Sequence, residues 1–301
     1  MAVTSVNSQS RNLALAPDTT QRRSELLQAW RRFRNNRLAV IGLIFILLIC
    51  AMALFAPLIA PYDPTEIIAK RGAEASAAHP LGFDDIGRDL LSRIIFGTRP
   101  ALIVGLVSTF VSVVIGVMVG AISGYFGGWI DSVLSRIVDT LMAFPLLALL
   151  LLLASVLGPS LTTTVVVIGV TTWARFARVV RADVMALKET DFVTAARATG
   201  VRNGRIILNH LVPNILGPVI VLASLGIGGV IILEAALSFL GLGLQRPTPS
   251  WGLILSDGRA WIRQLPHITT YPGIMIFLTV LAFNLFGDGV RDALDPKQRG
   301  D

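Results

Sequence analysis

From Thr140 to Ala174 the chain runs for 35 residues without one charged side chain. As a single helix this run would be about 52 Å long, far beyond the ~30 Å hydrocarbon core of a bilayer. Gly158-Pro159-Ser160 stands near its middle. Proline breaks a helix because it lacks an N–H and its ring clashes with the preceding turn. The run therefore predicts two membrane spans, Val138–Leu157 and Leu161–Val180, joined by a tight turn. The second holds Thr162 to Thr164 and Thr171-Thr172, whose hydroxyls can bond back to helix carbonyls.

The rest of the chain supports a membrane setting. It is 53% hydrophobic and 15% charged, with mean hydropathy +0.70, whereas a soluble protein carries about a quarter charged residues. Further uncharged runs predict spans at Val40–Pro61, Pro100–Trp129, Pro213–Leu233 and Tyr271–Gly287, the last beginning somewhat earlier. The second contains Gly105, Gly116, Gly120 and Gly124, small positions that let helices approach closely. The expectation is an all-α polytopic membrane protein with six transmembrane helices and both termini on one side. Placing the termini in the cytoplasm puts 18 of the 26 Lys and Arg residues inside, as the positive-inside rule requires. That bias accounts for the net charge of +7 without nucleic acid. The first 38 residues are polar and Arg-rich with no signal-peptide core, so the first span is expected to be an uncleaved signal and anchor.

Several polar segments lie between the spans. Arg22–Arg37 places Leu26, Leu27, Trp30 and Phe33 at helical spacing among arginines, with Ser24 as N-cap, which predicts an amphipathic helix on the inner leaflet. Residues 1–21 before it are expected to be disordered. In the first outer loop, Leu90, Leu91, Ile94 and Ile95 predict a surface helix feeding the second span, with Asp89 and Arg93 as an i,i+4 pair. His79, Asp84, Asp85 and Asp89 stand close together there. They could be ligands, but carboxylates so spaced in a loop serve more often as caps and turn residues, and no metal site is expected. Trp251 and Trp261, in the second outer segment, suit a membrane interface.

Catalytic chemistry is missing. No Walker phosphate loop, His-Glu-x-x-His or Ser-His-Asp pattern occurs. Cys50 is the single cysteine and lies in the first span, so it reads as a small hydrophobe. The few charges near spans, Arg136, Asp139, Glu234 and Asp288, sit at span ends, where interfacial capping explains them and a proton relay does not. The chain is expected to be no enzyme, with no catalytic residue and no cofactor of its own.

The polar stretch from Arg181 to Val212, between the fourth and fifth spans, is much longer than a turn requires. It predicts two short helices around Gly200, which permits a sharp turn with positive φ. Small Ala195 and Ala196 give a helix a flat face able to enter a cleft on another protein. Arg197, Arg202 and Arg205 can pair with acids on that partner. An amphipathic helix resting on lipid is the alternative.

Thr194-Ala195-Ala196, then three residues, Gly200, and Pro213 further on, resemble the EAA loop of bacterial ABC importer permeases. That pattern reads Glu-Ala-Ala, three residues, Gly, then nine residues and Ile-x-Leu-Pro. Three more stretches, HPLGFDDIGRDLLSRIIFGTR, EAALSFLGLGLQRPTPSWG and LTVLAFNLFGDGVRDALDP, are similar to the C-type permeases of the oligopeptide/dipeptide/nickel family. The resemblance runs from about Trp30 to Pro296. The chain departs from the pattern at Thr194, His210 and Val212, which replace Glu, Ile and Leu.

The resemblance implies a type I ABC importer permease fold with cytoplasmic termini. It also implies a peptide-importing subunit in the bacterial cytoplasmic (inner) membrane. Its expected partners are a second homologous permease, two cytoplasmic ATPase subunits that bind ATP and Mg, an extracytoplasmic solute-binding protein, and membrane lipid. ATPase coupling falls to Asp191, Thr194, Ala195, Ala196, Arg197, Gly200, Arg205 and Pro213; translocation or gating is assigned to Arg136, Asp139 and Glu234. The expected division is a tail over 1–38, the first span and outer loop over 39–98, a permease core over 99–291 with the coupling loop at 181–212, and a tail over 292–301. The rival readings are a proton-coupled carrier, a membrane scaffold or receptor, and the same permease class importing nickel chelates or haem.

Overall fold

A computed structural model describes residues 19–294, with side chains from Leu27 onward. Residues 1–18, which cover most of the expected disordered tail, and residues 295–301 lie outside the described part. Among the described residues the regular structure is helical, apart from an isolated bridge between Phe83 and Asp89. The helices are α1 Thr19–Asn35, α2 Arg37–Leu54, α3 Ala56–Ile59, α4 Leu90–Phe126, α5 Gly128–Ala143, α6 Leu146–Leu157, α7 Leu161–Leu187, α8 Asp191–Ala198, α9 Asn203–Ile206, α10 Val212–Phe239, α11 Trp251–Gly258 and α12 His267–Leu294.

Five helical stretches are long and apolar enough to cross a membrane: α2, α4, α7, Asn203–Phe239 and α12. A sixth exists only if α5 and α6, bent 90° to each other, are counted as one broken span. The predicted straight span Val138–Leu157 is therefore corrected. The break lies at Phe144-Pro145, where Phe144 is extended (φ −78°, ψ 139°). A proline disfavours helical backbone in the residue before it, so α5 stops there and α6 restarts after the ring. The turn at Gly158-Pro159-Ser160 forms as expected: α6 ends at Leu157, and Ser160 caps α7 by accepting from the Thr163 N–H.

Three other expectations change. The separate outer helix and second span are one 37-residue helix, α4. Its outer turns carry charge without unwinding because each arginine finds a partner. Arg93 pairs with Asp84 and Asp257, and Arg99 donates to the terminal carbonyls of Ala53 and Leu54 at the end of α2. Asp89 does not pair with Arg93; it caps α4 through the Ser92 N–H and holds His79. The first span is shorter than predicted, ending at Leu54. The amphipathic helix starts at Thr19, so Ser24 lies within it and is not its N-cap. This helix reaches the bundle through Phe33, which is buried and edge-on to Phe286 of α12.

α4 and α7 form the most extensive helix pair. The contact stripe on α4 is Ser108, Ser112, Gly116, Gly120 and Gly124, a small residue every four positions. Ser108 and Ser112 donate to the carbonyls of Val165 and Gly169 on α7. A Cβ at Gly116, Gly120 or Gly124 would come within 2.4 to 2.7 Å of α7 atoms, including the Ala177 and Arg181 carbonyl oxygens. The backbones meet this closely only because the side chains are absent, which is how membrane helices pack without a hydrophobic driving force between them.

Candidate functional site

The inner end of α7 and the start of α10 hold the loop between them as a built unit. α7 continues to Leu187, so Arg181 belongs to a helix and the loop begins at Lys188. α8 follows. Its Val193 and Ala196, three apart on one face, are buried with Val180 and Val184 of α7 and with Ile206, Ile207 and Leu211 beyond the loop. The opposite face exposes Asp191, Phe192, Thr194, Ala195, Arg197 and Ala198. Asp191 stands in the first turn, where a negative charge suits the helix dipole.

Gly200 closes α8 with φ +76°. Its N–H bonds the Arg197 carbonyl, and the Val201 N–H bonds the Ala196 carbonyl. This is a Schellman termination, which requires a residue at positive φ. The second short helix predicted in the loop is instead the inner end of a longer one. α9 runs through a π-helical turn, Ile207–Leu211, into α10. The wide turn lies just before Pro213, whose ring could not fit against the carbonyl four residues back in a regular helix.

Tyr125, at the inner end of α4, locks the loop from below. Its hydroxyl donates to Asn203 Oδ1 at 2.9 Å, and the Arg197 guanidinium lies 5.0 Å over its ring. Arg197 is thus steered by an aromatic face inside this chain, while Arg202 and Arg205 are exposed. Of the predicted coupling residues, α8 gathers Asp191, Thr194, Ala195, Ala196 and Arg197 into one helix, and Gly200 ends it. Arg205 sits one turn beyond, and Pro213 lies at the start of α10. Ala195 and Ala196 do not share a face: the first is open and the second buried.

The residues assigned to translocation lie apart. Asp139 pairs with Arg178 at 2.7 Å, both half exposed. Arg136 is exposed on the outer face of α5. Glu234 is fully buried in α10 and accepts from Ser238 Oγ at 2.8 Å. A stronger ion pair was not foreseen: Arg181 grips Asp131 with two nitrogens, tying the inner end of α7 to the start of α5.

At the opposite end the clustered carboxylates hold arginines. Asp84 Oδ1 accepts from the N–H groups of Ile86, Gly87 and Arg88, and its Oδ2 meets Arg88 and Arg93. Asp257 of α11 joins Arg88, Arg93 and Arg246, and Arg246 reaches Asp85 at 2.9 Å. Burial alone would raise the pKa of Asp84, but Arg93, the backbone donors and Arg88 outweigh it and hold the carboxyl below its ordinary value. Burial raises that of Asp85, helped by the charges of Asp257 and Asp84. Trp251 is no interface residue: it is buried and donates to the Ile94 carbonyl at 3.1 Å, joining α11 to α4.

Comparisons with known proteins agree with this arrangement. Residues 116–300 match the family described as binding-protein-dependent transport system inner membrane component, and residues 24–76 match the N-terminal TM domain of oligopeptide transport permease C. The chain is 44% identical to the dipeptide transport system permease protein DppC of Alkalihalophilus pseudofirmus, over 90% of each chain. It is 46% identical to the protein of the same name from Escherichia coli K12, over 90% of this chain and 93% of the relative. It is 42% identical to the glutathione transport system permease protein GsiD of Shigella flexneri serotype 5b, over 90% of each. In fold it is similar to a chain of the MetNI methionine ABC transporter in an inward-facing conformation, with TM-score 0.55 and 19% identity, over 68% of this chain and 98% of that one.

Proposed function

Because the chain belongs to the family of binding-protein-dependent transport system inner membrane components, we propose that it imports short peptides and is driven through α8 by separate ATPase subunits. The observation that carries the coupling reading is the build of α8. Its buried face packs on α9 and joins an apolar cluster shared with α7 and α10, and its open face presents Phe192 and Ala195 to the aqueous side. A helix held in this way moves with the spans it is packed on. A partner that grips the open face can bias the spans between two states, provided the grip is tighter in one of them.

ATP and Mg belong to the partner subunits in this reading, and a second homologous permease and an extracytoplasmic binding protein complete the assembly. The dipeptide and glutathione names of the relatives support a peptide substrate over nickel chelates or haem. A proton-coupled carrier has less support: Asp139 and Asp131 are held by Arg178 and Arg181, and the matching family is one of binding-protein-dependent transport components.

Ala195→Arg tests the coupling reading without touching the core. ATP-driven uptake and co-purification of the ATPase should both fall about tenfold or more, as expected when an interface loses about 1.4 kcal/mol, while membrane insertion is unchanged. Normal uptake in this variant would reject the assignment. Ala196 is the wrong residue for the experiment, since its burial would confound docking with folding.

A further inference from the structure

Arg175, Arg178 and Arg181 follow one another at three-residue intervals along α7. Two of them have acids on α5: Asp139 holds Arg178, and Asp131, two helical turns earlier, holds Arg181. α5 carries no acid after Asp139 and breaks at Phe144. It therefore supplies no third acid. Among the described residues Arg175 has no ion pair and no hydrogen-bond partner.

Arg175 instead borders a cleft of about 420 Å³ between α4, the α5–α6 bend, α7 and α10. This is within the usual range for small-molecule sites, roughly 300–1,000 Å³. Apolar walls come from Phe144, Phe176, Leu222 and Val230. Thr109 also lines the cleft; it is 4% exposed and its hydroxyl has no hydrogen-bond partner. Arg175 is the first charge after the apolar run of α7, about 21 Å along the helix from Leu161 and so toward its inner end, and its side chain is exposed. Ionisable residues of spanning helices face cavities or the bundle interior and serve solute or ion pathways.

We propose that this cleft binds the transported solute and that Arg175 takes its carboxylate. The fitting ligand is the free C-terminal end of a short peptide. Its carboxylate forms the charge-assisted pair that α5 does not provide, its amide meets the Thr109 hydroxyl, and an apolar side chain lies against the walls. This rests on the importer reading, for which it names a specificity-determining residue.

The test is direct binding, by equilibrium dialysis, to the permease–ATPase complex in nanodiscs without the binding protein. The probes are alanyl-phenylalanine and its C-terminal amide. The unmodified complex should prefer the free acid about tenfold. Arg175→Gln should abolish that preference, Arg175→Lys should retain part of it, and Thr109→Val should weaken both probes alike. Binding of neither probe at millimolar concentration, equal binding of both, or a preference that survives Arg175→Gln would overturn the proposal. The Ala195→Arg uptake result judges the importer reading separately, so failure of the cleft does not count against coupling.

Discussion

Gly200 carries a backbone conformation that side chains disfavour. Open space surrounds it, so the cost of Gly200→Ala comes from φ +76° alone, about 1–2 kcal/mol. That variant should insert normally but retain ATPase poorly, measured as the ATPase-to-permease ratio after purification; Gly200→Asn, which tolerates positive φ, should lose less. Asp84 acts at the other end of the molecule. Its folded pKa is lowered, so its stabilisation is present above the ordinary value near 3.9 and is lost as pH falls through the folded value. Asp84→Ala leaves Arg88 and Arg93 buried and short of an acid, at a cost of about 3–5 kcal/mol. Thermal melts at pH 7 should show this loss, and the gap between Asp84→Ala and the unmodified protein should narrow as the pH is taken below about 4. Gly200 was legible from its spacing to Ala195-Ala196. Tyr125 was not, because its partners lie about 70 to 80 residues further along the chain and only packing brings them together.

Helices form where uncharged runs predicted them, and α4, α5, α6 and α8 end where a glycine or proline follows closely. The helices that run beyond their predicted ends share one cause: charge does not end a helix when the fold supplies a partner. Arg93 and Arg99 extend α4 outward, and Arg178 and Arg181 extend α7 inward. Pro145 was visible in the sequence, yet its effect was hidden by the apolar run around it. Three glycines of the small-residue stripe of α4 could be read from the sequence, but their partner helix could not; the fourth, Gly105, faces Ile227 and Ile231 of α10. Because the Ala177 carbonyl and Val180 side chain close on Gly120, Gly120→Leu must push α4 and α7 apart. Overpacking costs about 1–3 kcal/mol in cores that can adjust, and here backbone blocks adjustment. The variant should lower the yield of monodisperse complex by size-exclusion chromatography, whereas Val114→Leu on the exposed face of α4 should not.

At the scale of the molecule, two charge networks bracket a bundle packed through small residues. The outer one joins the first loop, α4, the Arg246 loop and α11 into one rigid rim. The inner one joins α5 to α7, next to the loop that carries α8. In the coupling reading, motion imposed on α8 passes to α9 and, through the apolar cluster that holds Val193 and Ala196, to α7 and α10. Cys50 is the single native cysteine, so a cysteine-free background needs one substitution. In Cys50→Ala, the most direct measurement places a maleimide photo-crosslinker on Ala195→Cys and illuminates native membranes. The account predicts a covalent product with an ATPase subunit, whose yield changes when ATP is added. A crosslinker at position 195 that captures only lipid, with no ATPase product in either state, would contradict it.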